Sequence, residues 1–416
     1  MDSSSQSEDQ IRGVGGRSVL VQKTGGTWLL VLSIIFVALI LRAPITSVGP
    51  IVEQIQLTYG LSGGMTGLLT TLPLLAFAFF SPLAPKLASW IGMERSLLAA
   101  SFMLAIAILI RSLPSVYALF LGTAWLGAAI AVANVLLPSL VKRDYGDRVG
   151  LMTGVYTVSM NLGAAVSSGI SVPLTEQAGL GWETTLAISS IAAFIAAAAW
   201  LPLARASRKG NENGKVLAVG SSVDVNVWRS PLAWAVSLYL GLQSFCFYVN
   251  VTWIPLVLAD KGLTSAEAGW MLSLMQIVSM LSTFIVPILA GKSRNQIMLA
   301  LSIAVLFVVG YVLLWFGGEP LIPITMAVLG LGVGGGFGLA VMFFALRTTT
   351  SGEAAKLSGM AQSVGYLLAA SGPLLLGLLH DSTESWDLPM AVMLAVSAAY
   401  ALFGIAAGKN RKIQKS

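Results

Sequence analysis

The chain has 416 residues, of which 56% are hydrophobic and only 10% charged, and its formal net charge is +6. Soluble domains contain about 25% charged residues, so the composition excludes a soluble protein and indicates one that crosses a membrane several times. The single cysteine and single histidine leave no intrachain disulfide or cysteine metal cluster, and too few groups for most metal sites and nucleophile–base pairs. We therefore expect no metal and no cofactor.

Twelve apolar segments are long enough to cross a bilayer as helices, and charges or turn residues bound each of them. A polar, Ser/Gly-rich segment, residues 1–27, precedes the first, and we expect a disordered tail followed by an uncleaved helix. The eleventh segment contains Gly372 and Pro373, where we expect the helix to be broken. The predicted spans are 28–50, 64–85, 96–111, 115–140, 149–175, 183–203, 231–257, 267–290, 296–316, 320–346, 357–379 and 388–407.

The longest connection is polar and basic, as expected of a flexible linker, and divides the spans into six and six. Several glycines recur at a nearly constant shift, among them Gly154 and Gly359. Parallel repeats of this kind are a transporter architecture with the substrate site between the halves. The predicted organisation is a cytoplasmic tail (1–27), an N-terminal six-helix bundle (28–203), a cytoplasmic linker (204–230), a C-terminal six-helix bundle (231–407) and a cytoplasmic tail (408–416).

The basic residues predict the orientation of the chain in the membrane. Of the 24 Lys and Arg residues, 21 fall in the tails, the central linker and the loops on the same side. Arg111 and Lys261 fall in loops on the other side, and Arg42 lies within a span. The positive-inside rule then places both termini in the cytoplasm, as in a bacterial inner-membrane protein. Contact between basic loops and anionic lipid explains the positive charge, so no nucleic-acid partner is expected.

Arg42 is the one charge that the sequence pattern places deep inside a span. Fourteen residues from Trp28 precede it, which corresponds to about 20 Å of helix in an apolar layer about 30 Å thick. An arginine at a helix centre costs about 2.5–3.5 kcal/mol, so it needs a partner, a water-filled cavity or an anion. Pro44 predicts a kink that presents polar backbone to a cavity. In the alternative, the side chain extends to the lipid headgroups or neutralises nearby carbonyls.

Polar and aromatic side chains at comparable depth in other spans are candidate substrate contacts. Gln243 and Asn250 are seven residues apart and share a helix face, and Gln362 is a further amide at this depth. Each amide has the alternative role of joining two helices, which contributes under about 2 kcal/mol. With Arg42 as the anion anchor, the candidate substrate-binding residues are Thr46, Gln243, Tyr248, Asn250, Trp253, Gln276, Tyr366, Asn134 and Asn161.

Several separate motifs resemble one branch of a known transporter family. The six-plus-six arrangement with a basic linker resembles the major facilitator superfamily. Within that superfamily the motifs resemble the branch of cyanate permeases and 2-nitroimidazole exporters. The resemblance implies a twelve-helix carrier of monomeric form, with spans 1, 4, 7 and 10 lining the cavity and spans 2, 5, 8 and 11 flanking it. The motifs are LRAPITSVGP (41–50), GLLTTLPLLAFAFFSPLA (67–84), GMERSL (92–97), IRSLPS (110–115), ANVLLPSLVKRD (133–144) and GYLLAASGPLLLGLLHD (365–381).

The chain departs from the superfamily pattern between spans 2 and 3. Ser89 and Trp90 occupy the positions of the usual Asp-Arg pair, so the charge latch between the halves is expected to be weak or built differently. The glycine-rich run 332–338 resembles a nucleotide loop, but it lies inside an apolar span with no strand before it, which favours close helix packing.

Three functions compete at this stage. The first is a secondary active or facilitative transporter that moves a small anionic or nitro-aromatic solute by alternating access. The second is a multidrug-type exporter of neutral aromatic compounds. The third, a non-transporting sensor or an intramembrane enzyme, is disfavoured because no acid, base and nucleophile converge. The mid-span segments contain no carboxylate, so exchange or facilitated movement is favoured over a proton relay, with Glu53 and the pair His380 and Asp381 as the remaining titrating groups.

Overall fold

The computed structural model describes residues 27–61, 63–212 and 226–413, and helices account for nearly all of them. Residues 1–26 of the predicted N-terminal tail and residues 213–225 of the predicted linker lie outside these ranges. The helices are α1 (Thr27–Thr46), α2 (Val52–Tyr59), α3 (Gly63–Phe80), α4 (Ala84–Ile91), α5 (Met93–Arg111), α6 (Val116–Asp144), α7 (Val149–Val172), α8 (Gly181–Glu212), α9 (Pro231–Asp260), α10 (Ser265–Lys292), α11 (Ile297–Phe316), α12 (Ile322–Leu346), α13 (Ser351–Thr383) and α14 (Asp387–Gly408).

Twelve helical segments of the described chain are long and apolar enough to cross a membrane. The first consists of α1 and its continuation, and the second of α3 and α4 joined by a short turn, Ser81–Leu83. Each of the other ten contains one long helix, to which short turns are added in the fifth (Gly146–Thr175) and the tenth (Glu319–Leu346). The all-α, twelve-span fold predicted from the hydropathy pattern is confirmed.

Two helices differ from the prediction in extent. Helix α13 continues through Pro373 to Thr383, so the expected break after Gly372 is wrong. A proline inside a membrane helix frees the carbonyl four residues earlier, here that of Ala369, and is tolerated where local adjustment or neighbouring groups satisfy it. The carbonyl of Pro373 itself accepts a hydrogen bond from Trp253 Nε1 at 2.9 Å, which joins α9 to α13 at this turn. Helix α8 extends to Glu212, into the predicted linker, because Ala, Arg, Ser and Lys sustain a helix beyond the apolar layer.

Two matching contacts, α7 with α10 and α13 with α3, are among those that join the six spans before the central connection to the six after it. The glycines separated by the sequence repeat occupy equivalent places in them. A Cβ on Gly154 would lie 2.9 Å from the carbonyl oxygen of Phe284, and a Cβ on Gly359 would lie 2.9 Å from that of Ser81. Both glycines therefore allow close backbone approach between the two sets of helices.

The side of the bundle where α8 ends and α9 begins, called the linker side below, carries a further contact between these two sets. Lys142 Nζ at the end of α6 donates to the carbonyl oxygen of Ala345 at 2.7 Å and to Thr348 Oγ1 at 2.6 Å. It also donates to the Thr348 carbonyl. One ammonium group therefore satisfies carbonyls at the C-terminal end of α12, where a positive charge is favourable.

Substitution of Gly154 with alanine is expected to destabilise the contact between α7 and α10. The added methyl group would force α7 away from α10, and overpacking of this kind costs about 1–3 kcal/mol. The melting temperature of the purified protein in detergent should fall by several degrees. Gly169→Ala on the same helix is the control, because no atom lies within 4 Å of its added Cβ. An equal effect of both substitutions would contradict this interpretation.

Candidate functional site

Arg42 lies near the end of α1, and its side chain reaches the centre of the bundle. Its Nη1 donates to Asn161 Oδ1 on α7 at 2.8 Å. The ring centroids of Phe337 on α12 and Phe247 on α9 lie 4.6 Å and 5.4 Å from the guanidinium carbon. Aromatic rings at this distance stabilise a cation. Helices from both sides of the central connection thus surround the guanidinium.

The proline after Arg42 sets where this helix ends. Helix α1 stops at Thr46, two residues beyond Pro44. The carbonyl of Ala43 accepts from Ser167 Oγ at 2.9 Å, and that of Pro44 accepts from Arg111 Nη1 at 2.6 Å. Protein donors therefore satisfy the carbonyls of Ala43 and Pro44. The carbonyl that Pro44 frees is that of Ile40, and its exposure to a cavity stays a prediction.

A small cavity, with room for about one water molecule, adjoins the guanidinium, and we call it the Arg42 cavity. Gln243 Nε2 donates to the carbonyl of Val333 at 3.0 Å, which holds this amide against α12. Thr283 Oγ1 is buried and has no hydrogen-bond partner in the protein. Arg42 is the only ionisable residue of the lining, which consists of Arg42, Asn161, Gln243, Phe247, Gln276, Ser279, Thr283, Val333, Gly334 and Phe337.

A second small cavity, with room for about one or two water molecules, lies nearer the linker side, and we call it the linker-side cavity. Phe337 lines both cavities. The ring of Tyr366 packs against Phe77 with centroids 4.9 Å apart. The lining is mostly apolar and consists of Asn134, Pro138, Tyr156, Met160, Leu240, Phe337, Val341, Phe344, Gln362 and Tyr366.

The structure brings six of the ten predicted site residues to the two cavities. Four line the Arg42 cavity and two line the linker-side cavity, and α7, α9 and α12 contribute to both. The six residues are Arg42, Asn161, Gln243 and Gln276, followed by Asn134 and Tyr366.

The other four predicted residues belong to neither lining, and each contacts other groups of the protein. Thr46 Oγ1 donates to the carbonyl of Ala164 at 3.1 Å. Asn250 Oδ1 accepts from Tyr311 at 2.9 Å, so this amide joins α9 to α11. Trp253 donates to the Pro373 carbonyl, as described above. Tyr248 packs edge-on against Phe247 with ring centroids 5.1 Å apart.

Sequence reasoning missed two cavity residues with distinctive chemistry and left a third outside the candidate set. Phe337 lies in the glycine-rich run that was interpreted only as helix packing, and it is the residue shared by the two cavities. Tyr156 lies five residues before Asn161 in a stretch rich in polar side chains, which was an available signal. Gln362 was recognised as a mid-depth amide but not as a contact.

Arg42 is not the only arginine withdrawn from solvent. Arg111, predicted to lie in a loop, is the last residue of α5 and is only 1% exposed. Arg347, also predicted to lie in a loop, is 1% exposed and donates through Nε to the carbonyl of Ala407 at 2.7 Å and through Nη2 to Gln296 Oε1. In the sequence, a charge at the end of an apolar run looks like a loop residue. In the structure, such a charge can be buried because it donates hydrogen bonds to backbone carbonyls.

Among the described contacts, no carboxylate lies against Arg42. The ion pairs of the described residues join Arg143 to Glu94 at 2.6 Å and to Asp144 at 2.8 Å, on the linker side. The positive charge of Arg42 is therefore balanced only by an amide oxygen and aromatic faces. Such a group in a cavity attracts an anion.

Twelve membrane-crossing helices around a central cavity with one unneutralised cation define an integral, multi-pass carrier. The sequence profile of the Major Facilitator Superfamily matches residues 34–373. The chain belongs to this superfamily and is a membrane transporter.

Three curated relatives match nearly the whole chain. The uncharacterized transporter YycB of Bacillus subtilis is 41% identical, over 95% of this chain and 97% of the relative. The 2-nitroimidazole transporter of Escherichia coli is 40% identical, over 93% and 97%. The cyanate transport protein CynX of Escherichia coli is 27% identical, over 86% and 91%.

A solved structure supports the fold. The proton:xylose symporter XylE, a major facilitator superfamily protein, superposes with a TM-score of 0.68. The match covers 93% of this chain and 97% of the symporter at 13% sequence identity. At that identity the likeness concerns the fold alone. The superfamily profile and the 2-nitroimidazole and cyanate transporters bear out the predicted superfamily and branch.

Proposed function

We propose that this protein moves a small anionic or nitro-aromatic solute across the membrane by alternating access, with Arg42 as the anion anchor. The observation that carries the proposal is the guanidinium in the Arg42 cavity, which has one amide partner and no carboxylate contact among the described residues. An arginine fork can give two parallel charge-assisted hydrogen bonds to a planar oxyanion or nitro group. The transport activities named for the 2-nitroimidazole and cyanate relatives agree with such a solute.

The proposal includes the setting of the carrier. We place it in the bacterial inner membrane with both termini cytoplasmic, because the basic residues concentrate on the linker side. We propose a monomer, as the resemblance to the superfamily implies. The lipid bilayer and the solute are its partners. An enzymatic role is not proposed, since neither cavity brings together an acid, a base and a nucleophile from its lining residues.

Alternating access requires that the linker side open and close. Lys142 and the glycine contacts Gly154 and Gly359 support closure on that side, because each joins helices from the two halves. We infer that Lys142 replaces the charge latch that Ser89 and Trp90 leave weak. Residues 28–203 and 231–407 would then move as two bodies.

The second candidate function is the export of neutral aromatic compounds. Phe247 and Phe337 at the guanidinium, together with Tyr366 in the linker-side cavity, favour it. Aromatic side chains of this kind contact a planar ring whether or not it carries a charge.

A pair of shape-matched solutes that differ in charge distinguishes the two functions. The purified protein in liposomes loaded with unlabelled solute should exchange benzoate, cyanate and 2-nitroimidazole faster than protein-free liposomes do. Benzamide, which has the size and ring of benzoate but no charge, should exchange at least about tenfold more slowly, because a lost charge-assisted bond costs about 1.5–3 kcal/mol. Equal exchange of benzoate and benzamide would favour the neutral-aromatic exporter instead.

A further inference from the structure

Two residues that line the linker-side cavity each carry a buried polar atom that no group in the protein satisfies. The hydroxyl oxygen of Tyr156 on α7 and Oε1 of Gln362 on α13 have no hydrogen-bond partner in the protein. Their residues are only 2% and 4% exposed. A buried polar atom without a partner costs about 1–3 kcal/mol, so two of them in one cavity point to a ligand that supplies the missing bonds.

The surroundings define the chemistry that these atoms recognise. Gln362 Nε2 donates to Ser358 Oγ at 2.9 Å, which turns the amide so that Oε1 is the free group. An amide oxygen only accepts hydrogen bonds, while a phenol can donate or accept. Most of the remaining lining is apolar, with Met160 and Phe344 among it. The site therefore suits an apolar ring that carries an N–H or O–H donor.

The two cavities meet at Phe337, which lines both of them. A planar solute against this ring would have Arg42 on one side and the linker-side cavity on the other. Arg42 has no counterpart in the linker-side cavity, whose lining carries no Lys, Arg, Asp or Glu. One end of such a solute would contact a cation, and the other would contact neutral groups that accept hydrogen bonds.

We propose that the linker-side cavity is a second subsite for the transported solute, in which Gln362 and Tyr156 bind a ring N–H or hydroxyl. The substrate class is then a planar aromatic with an oxyanionic or nitro group at one end and a hydrogen-bond donor at the other. This inference rests on the proposed function, because Arg42 must bind the first group. Gln362 and Tyr156 are specificity-determining residues for the second.

The test compares two ligands that differ only in the donor. Binding of 4-hydroxybenzoate and 4-methoxybenzoate to the purified protein is measured by isothermal titration calorimetry, at a pH where both are carboxylates. The wild-type protein should bind the hydroxyl compound about tenfold more tightly. In Gln362→Leu and in Tyr156→Phe the ratio should fall below about twofold, while affinity for the methoxy compound changes little.

Tyr239→Phe is the matched control for these variants. It removes another buried phenol oxygen, on α9 and outside both cavity linings, and it should leave the tenfold ratio unchanged. A wild-type ratio near one overturns the inference without any variant. A tenfold ratio that persists in both Gln362→Leu and Tyr156→Phe overturns it as well and indicates that these atoms contact only water.

One further variant separates this inference from the proposed function. Arg42→Ala should weaken both ligands and leave their ratio intact. If both ligands bind equally well to wild type and to Arg42→Ala, the proposed function fails together with the inference. If Arg42 is required but the ratio does not depend on Gln362 or Tyr156, only the second subsite fails. Failure of the wild-type protein to bind either ligand contradicts both.

Discussion

Replacement of Arg42 with alanine is expected to lower the exchange of an anionic solute at subsaturating concentration by about 100-fold or more. Hydrogen bonds to a charged group contribute about 1.5–3 kcal/mol each, and every 1.4 kcal/mol is tenfold in affinity. Loss of two hydrogen bonds from the guanidinium therefore lowers the affinity for the anion by more than two orders of magnitude. Arg42→Lys keeps the charge but loses the fork, so it should recover part of the activity and remain about tenfold below the wild type.

The measurement is exchange of radiolabelled anion in liposomes containing equal amounts of each protein. Arg229→Ala is the matched control, because it also removes one guanidinium, from an exposed position on the linker side. That control should exchange the anion at the wild-type rate. Wild-type exchange by Arg42→Ala would show that the anion binds elsewhere and would refute the assignment of the anchor.

Replacement of Lys142 with alanine is expected to shift the protein toward a conformation open on the linker side. The ammonium donates to three oxygen atoms of Ala345 and Thr348. The loss of these charge-assisted bonds costs about 1.5–3 kcal/mol. An equilibrium between closed and open states would then shift by about one to two powers of ten.

Distances between spin labels can report this shift. Cysteines introduced at Asp147 and Arg294, which are exposed at the linker-side ends of α7 and α10, carry the labels. The native Cys246 is buried and should label poorly. Lys142→Ala should lengthen the distance distribution, whereas Lys86→Ala, which removes an exposed lysine of α4, should not. Identical distributions for wild type and Lys142→Ala would refute Lys142 as a closing contact.

The fold could be predicted from sequence because the bilayer imposes one strong constraint on each segment. About twenty apolar residues fix the existence of a span, and all twelve were identified. The helix ends could not be predicted in the same way. Helices α6 and α8 continue beyond the apolar segments to Asp144 and Glu212. There water can satisfy the backbone, so helix propensity rather than hydropathy determines where the helix ends.

The depth of Arg42 in the membrane was predictable and its partner was not. The depth of Arg42 follows from counting residues, and a charge at that depth needs compensation. Asn161 could be identified as a polar residue in another span. That it meets Arg42 depends on the packing of α1 against α7, where a Cβ on Gly163 would lie 2.0 Å from the carbonyl oxygen of Leu39. Such close packing is a tertiary property that no local pattern encodes.

Buried amides show the limit of reasoning from residue type. Gln243 and Asn250 share one face of α9, yet Gln243 lines the Arg42 cavity while Asn250 bonds Tyr311 on α11. The two positions are separated by about 10 Å along the helix, so they meet different neighbours. An amide in a span thus indicates that some polar partner exists, without telling whether it is protein or solute.

The single cation of the Arg42 cavity has an electrical consequence. A monovalent anion bound to Arg42 would cancel its charge, so the loaded carrier would reorient with no net charge in the barrier. The empty carrier would reorient with one positive charge, on which a potential of 100 mV acts with up to about 2.3 kcal/mol. Voltage would then set the rate of the unloaded return step and leave exchange of one anion for another unaffected.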